Sequence, residues 1–159
     1  MLHNVLGTTH PASLKHVESA SRIEIADGKY VVRFARNAEK IEAALKLRFE
    51  VFNLELEEGL ESSFQTGRDR DQFDATCHHL IAIDQTNNKV IGTYRLRTME
   101  MGGDAEGFYS SAEFDLNCLP REVLNQSVEL GRASIAQSHR NRHVLFLLWK
   151  SKGLKSLTG

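Results

Sequence analysis

The chain has 159 residues, 41% of them hydrophobic and 26% charged, the balance of a globular protein long enough for one domain with a core. A formal net charge of -1 and a pI near 6.7 exclude a surface built to coat nucleic acid. Cys77 and Cys118 lie far apart with no CxxC, so they read as reduced, half-buried residues of a cytoplasmic protein, not as a disulfide framework or zinc site.

Residues 1–21 are mixed and aperiodic, and they are read as a poorly ordered lead-in. They contain no continuous apolar run, and no later stretch approaches the roughly 20 apolar residues of a membrane span, which argues against a secreted or integral membrane protein. Residues 22–26 and 29–35 alternate like two strands, and Asp27-Gly28 between them predicts a type I′ hairpin turn. Asn37 is a candidate cap for the helix that follows. Ile41, Leu45, Phe49, Phe52 and Leu56 recur at three- or four-residue steps and predict an amphipathic helix over 38–58.

Residues 61–76 are charged and lack apolar periodicity, so they read as a long loop, a kind of segment that often binds something. A second hairpin is expected from strands at 79–84 and 89–98 around Asn87-Asn88. A glycine-rich connection at 101–107 leads into short elements broken by Pro120. Residues 127–136 then read as a strand, and 142–150 as a helix with apolar Val144, Leu145, Leu147, Leu148 and Trp149. The fold class expected is α+β, a mostly antiparallel sheet flanked by helices over 22–150, with a thin polar tail at 151–159.

Charge is unevenly placed along this order. Acids dominate residues 50–74, whereas from Gln137 onward the only charged side chains are Arg140, Arg142, Lys150, Lys152 and Lys155. A basic end of this kind suits a phosphate or an acidic partner, or is simply a solvated face. Within 50–74, Asp71-Gln72-Phe73-Asp74 sets two carboxylates around an aromatic, able to bind an amine or to buttress an arginine. On the preceding helix, Arg48, Phe52 and Glu55 share one face, with an ordinary surface ion pair as the plain alternative.

In Gly92-Thr93-Tyr94-Arg95-Leu96-Arg97, strand alternation puts Arg95 and Arg97 on one face. Both need carboxylate partners, and Asp74, Glu113, Asp115 and Glu129 are the candidates, in a structural network if not in a site. Glu129-Leu130-Gly131-Arg132 would bring Glu129 and Arg132 together if Gly131 allows a bulge. In apolar surroundings Glu129 would serve as a general base for an amine. Arg140 and Arg142 stand at a helix start, where backbone N–H groups attract anions. His78 and His79 point opposite ways in a strand and have no third ligand at suitable spacing, so no metal is expected. Without a Gly-x-Ser-x-Gly elbow or a Cys/His pattern, direct transfer is the more natural mechanism than a covalent intermediate.

In this order the clusters resemble a known family. Leu47-Arg48-Phe49-Glu50-Val51-Phe52, Asp71-Gln72-Phe73-Asp74, His78-His79-Leu80, Val90 to Arg97, Phe108-Tyr109-Ser110, Glu113-Phe114-Asp115-Leu116, Glu129-Leu130-Gly131-Arg132 and Arg140-Asn141-Arg142 with Leu148-Trp149-Lys150 carry the likeness. Over residues 31–150 the chain resembles the ornithine-acyl-[acyl carrier protein] N-acyltransferases of ornithine-lipid synthesis and the N-acyl amino acid synthases. More remotely it is similar to the acyl-homoserine-lactone synthases. The resemblance implies a GNAT-like fold and no tightly bound cofactor. It implies an acyl-phosphopantetheine donor on acyl carrier protein, with acyl-CoA as the alternative, and an amino-acid acceptor.

Residue by residue it implies that Glu129, Arg132, Asp74 and Arg95 are catalytic, with Glu129 the base. Arg48, Phe52, Asp71 and Arg97 would meet the acceptor, and Arg140 and Arg142 the pantetheine phosphate or the carrier protein. Work at the cytoplasmic membrane surface would follow from a lipid product. The aromatic that lactone synthases carry soon after the Arg-x-x-x-Phe helix is replaced here by acidic residues around Glu55 and Glu58, which favours the ornithine branch. After Trp149-Lys150 the sequence leaves the family's continuation, so a truncated domain is expected, and a non-catalytic binding half stands as the alternative to an enzyme.

Overall fold

A computed structural model describes residues 24–102 and 107–151. The expected lead-in, the first residues of the first strand, most of the glycine-rich connection and the tail lie outside these. Strands β1 (Glu24–Asp27), β2 (Tyr30–Phe34), β3 (His78–Asp84), β4 (Lys89–Thr98) and β5 (Val128–Ile135) form one antiparallel sheet in chain order. Three α-helices accompany it among the described residues: α1 (Ala38–Phe49), α2 (Arg121–Asn125) and α3 (Arg142–Lys150). The α+β class expected from the sequence is the class observed.

Alternation in the strands gives the sheet two different faces. Val32, Phe34, Leu80, Ala82 and Leu96 point to one side, where Val144, Leu147 and Leu148 of α3 close over them. Val31, Ile81 and Ile83 point to the other, against Ala44 of α1. Each Val, Leu, Ile or Phe among them, fully buried, contributes about 1.5–3 kcal/mol. Gly92 lets α3 come close: a Cβ there would lie 3.2 Å from Leu148 Cδ1 and 3.3 Å from Ala82 Cβ.

The first hairpin differs from expectation by one residue. Asp27 pairs with Tyr30, so Gly28-Lys29 is the loop, and only Gly28 has positive φ (57°). A type I′ turn needs positive φ at both loop positions, so glycine at the first position alone defines a different turn. Asn37 does cap α1, its side-chain oxygen accepting from Lys40 N at 3.0 Å.

The long helix expected to reach residue 58 stays α-helical only to Phe49 and continues as a π-helical turn, Glu50–Glu55. Leu56 N accordingly donates to Val51 O, five residues back, at 3.1 Å. The buried stripe also departs from the apolar periodicity. Lys40, Ala44, Leu45, Leu47 and Arg48 are buried, while Leu56 is exposed and Phe49 packs edge-on against Phe64, 5.5 Å between centroids. Two polar groups cause the offset: Lys40 Nζ donates to Asn88 O at 2.9 Å, and Arg48 faces the loop after the helix.

Candidate active site

The loop expected over 61–76 contains two 3₁₀ turns, Glu61–Gln65 and Gln72–Thr76, and delivers three aspartates beneath the sheet. Asp69 N donates to Leu45 O at 3.1 Å, which ties the loop to α1. Asp71 caps the second turn through Phe73 N (2.9 Å), and Asp74 returns a bond to Asp71 N (2.8 Å). The Asp-x-x-Asp spacing is thus a reciprocal capping box, which orients both carboxylates through bonds of their own turn.

Three arginines then meet these aspartates. Arg48, 1% exposed, donates from Nε to Asp69 Oδ2 at 2.8 Å and grips Asp74 through Nη1 and Nη2 at 2.6 and 3.2 Å. Arg95 Nη1 donates to both Asp71 oxygens at 2.6 and 2.7 Å and to Asp74 Oδ1 at 3.1 Å. Arg132 lies farther off, with Nε 3.8 Å from Asp69 Oδ2 and Nη2 4.0 Å from Asp71 Oδ2. Burial alone would raise the Asp74 pKa, but hydrogen bonding and charge from Arg48, the Asp71 N–H and Arg95 outweigh it and hold the carboxyl at about 2. His79 donates from Nε2 to Asp74 O at 3.0 Å, and burial pushes its pKa down.

Above this network lies a cavity of about 530 Å³, lined by Phe52, Phe73, Arg95, Arg97, Glu129 and Arg132 among others. Strand register accounts for the grouping. Arg95 is paired with Gly131 and Arg97 with Glu129, so these side chains share a face, and Gly131 leaves the space before Arg95 open. The register shifts between Thr93 and Arg95, the bulge expected near Gly131. The residue in the left-handed region is Arg132 (φ 52°), not the glycine. A non-glycine residue there costs on the order of 1–3 kcal/mol and persists where surrounding structure enforces it, often at functional sites. The bulge turns Arg132 onto the Glu129 face, its guanidinium 5.4 Å from the Phe52 ring centroid. The π-helical turn in turn supplies Phe52 to this wall, in keeping with the tendency of such turns to occur at functional sites.

Glu129 is held from outside the sheet. Its Oε2 accepts from Tyr109 N at 2.7 Å, and its Oε1 accepts from Ser110 N at 2.8 Å and Ser110 Oγ at 2.5 Å. The apolar surroundings expected for it are replaced by this polar cradle, which leaves Oε2 with one such contact and a further lone pair. Phe73 braces the arrangement, 4.9 Å from the Arg97 guanidinium and 5.5 Å from the Tyr109 ring. Arg97 itself donates to Gly107 O at 2.7 Å and Thr76 Oγ1 at 2.6 Å. Cys77 lines the cavity too, and burial pushes its thiol pKa up.

The fold therefore brings Arg48, Asp71, Asp74, Arg95 and Arg132 into one network, with Phe52, Arg97 and Glu129 on the same cavity. Arg140 and Arg142 are not brought there. They follow the far end of β5, where Arg140 bonds Glu55 Oε2 at 2.5 Å and Ile135 O at 3.0 Å. Asn141 caps α3 by accepting from Val144 N at 3.0 Å. Of the carboxylates expected to serve Arg95 and Arg97, Asp115 instead caps its own turn through Asn117 N. Sequence reasoning missed Asp69, fully buried against Arg48, although three arginines facing only two aspartates leave a charge to be met. It quoted Tyr109 and Ser110 only within the resemblance and gave them no role, since two of their three bonds to Glu129 come from the backbone.

Known proteins resemble this chain at the level of sequence. A family model described as an acetyltransferase (GNAT) domain matches residues 47–150. The chain belongs to the GNAT acetyltransferase family. Among curated relatives, an L-ornithine N(alpha)-acyltransferase of Brucella abortus is 36% identical over 132 residues, 77% of this chain and 46% of that protein. The proteins of the same name from Agrobacterium fabrum and Rhizobium meliloti are each 33% identical, over 77% and 74% of this chain and 44% and 42% of theirs. These relatives bear out the resemblance read from the motifs. This GNAT chain spans about half the length of the curated relatives it matches. No solved structure matches it. Among its described residues, no helix is long and apolar enough to cross a membrane.

Proposed function

We propose that this chain forms the acceptor-binding half of an N-acyltransferase that moves a fatty acyl group from acyl carrier protein to the α-amine of an amino acid, ornithine above others. The observation that carries the reading is the cavity wall, where Glu129 and Arg132 face one space over a rigid arginine–aspartate floor. An α-amino acid presents an ammonium and a carboxylate on adjacent atoms, and this wall offers one partner for each. The names of the curated relatives agree with that acceptor.

In this reading Arg132 takes the acceptor's carboxylate. Its guanidinium has only long ion pairs and no hydrogen bond among the described residues, so its N–H donors remain available. Glu129 accepts a proton from the ammonium through Oε2. The freed amine attacks the thioester carbonyl, the new C–N bond forms as the C–S bond breaks, and the thiol leaves with a proton. Arg48, Asp69, Asp71, Asp74 and Arg95 act by positioning, since Arg48 and Arg95 tie the three carboxylates into one network. Phe52 and Arg97 frame the acceptor.

The donor is a substrate carried on phosphopantetheine, with acyl-CoA as the second candidate, and no tightly bound cofactor is required. Arg140 and Arg142 meet the carrier protein or the pantetheine phosphate from the start of α3, outside the cavity. A lipid product places the reaction at the cytoplasmic membrane surface.

The test is to incubate the purified chain with acyl-loaded carrier protein and a panel of amino acids that includes L-ornithine, reading N-acyl product by mass spectrometry. Product on L-ornithine supports the reading. Product on a different amine instead identifies an N-acyl amino acid synthase. No product, when the chain extended by a relative's second half does turn over, makes it a binding half alone.

A further inference from the structure

Among the described residues, Glu113 is the one carboxylate besides Glu129 that lines the cavity. It closes the 3₁₀ turn Tyr109–Ala112, its own N–H bonded to Ser110 O at 3.1 Å. Its side chain is exposed and makes no hydrogen bond or ion pair among the described residues. The same turn therefore clamps Glu129 at its beginning, through Tyr109 and Ser110, and presents a free carboxylate at its end.

We infer that Glu113 is the specificity-determining residue that reads a second, distal ammonium on the acceptor. This rests on the acceptor reading given above. The spacing is the first argument. A 3₁₀ turn rises about 2.0 Å per residue, so three residues separate the two anionic positions by about 6 Å along the turn. In an extended five-carbon diamino acid the two nitrogens are five bonds apart, roughly 6 Å at ordinary C–C and C–N lengths. The second argument is charge. Acylation at the α-nitrogen leaves the distal amine cationic throughout the reaction, in a cavity whose other wall carries Arg95, Arg97 and Arg132. A second ammonium is best held by an anion beside it, and among the described lining residues Glu113 is the uncommitted carboxylate.

The experiment measures dissociation constants of L-ornithine and L-norvaline, the same carbon skeleton without the distal nitrogen, for the chain and its Glu113→Gln variant by calorimetry. For a solvent-exposed pair the chain should prefer L-ornithine by roughly fivefold. Glu113→Gln should bring that ratio near one and leave L-norvaline affinity unchanged. An unchanged ratio in the variant overturns the inference, as does an equal loss for both ligands, which would make Glu113 a mere support of the turn. A wild-type chain that binds neither amino acid, but does bind another amine, overturns the acceptor reading itself, and Glu113 falls with it.

Discussion

The two faces of one sheet are held by opposite chemistry, although successive residues of the same strand build both. In β4, Leu96 enters the apolar core under α3, while its neighbours Arg95 and Arg97 enter the charged layer on the α1 side. The α3 face is close-packed hydrocarbon, and its burial drives folding. The α1 face begins the same way at Val31, Ile81 and Ile83, then turns polar toward β4 and β5. Buried ion pairs recover little more than their own desolvation, so this second face is poor as a source of stability and good as a rigid mount. One face supports the fold, and the other spends part of that stability to aim Arg132 and Glu129.

The contrast predicts how each face breaks. Arg48→Ala should have the largest effect, about 3–5 kcal/mol by urea unfolding, because Asp69 and Asp74 would be left buried with their main counter-charge gone. A loss below about 1 kcal/mol would mean that the network is wetter than its geometry. Next comes acid. Asp74 is held at about 2 against its ordinary 3.8, so its contribution is complete above pH 3.8 and disappears as pH falls toward 2. That amounts to about 2 kcal/mol, stability rising with pH through the window. Wild type should lose this much more than Asp74→Asn between pH 5 and pH 2, and parallel curves would refute the assignment.

On the apolar face, Gly92→Ala should cost about 1–2 kcal/mol, since Leu148 and Ala82 would have to retreat by only tenths of an ångström. The smallest change in stability belongs to Arg132→Gly, which relieves the left-handed backbone and should leave the unfolding free energy equal or raised by up to about 1 kcal/mol. The same variant should bind L-ornithine at least tenfold more weakly, a separation of stability from binding that the α3 face offers nowhere.

What was legible in the sequence follows the same division. Helix α3, the alternation of β4 and the Asn37 cap were readable because apolar periodicity and capping chemistry act locally. The face of α1 was not, because Lys40 and Arg48 turn inward to partners 48 and 21 residues away, and long-range polar contacts leave no periodic trace. The bulge was foreseen from Gly131, yet the positive φ fell on Arg132, a conformation imposed by the strand and the charges around it. Grouping Arg48, Asp71, Asp74, Arg95, Glu129 and Arg132 needed the resemblance, since their separations in sequence say nothing of a shared cavity. Asp69 and the Tyr109–Ser110 cradle emerged only with the fold.

The most direct test of the account is acyl transfer from loaded carrier protein to L-ornithine, followed for wild type and Glu129→Gln side by side with their unfolding midpoints. Loss of a general base predicts a rate lowered roughly 10²- to 10⁴-fold with the fold retained, while the lost acceptor for one cradle N–H lowers stability by only about 1 kcal/mol. A rate near wild type in Glu129→Gln would contradict the central role given to that carboxylate.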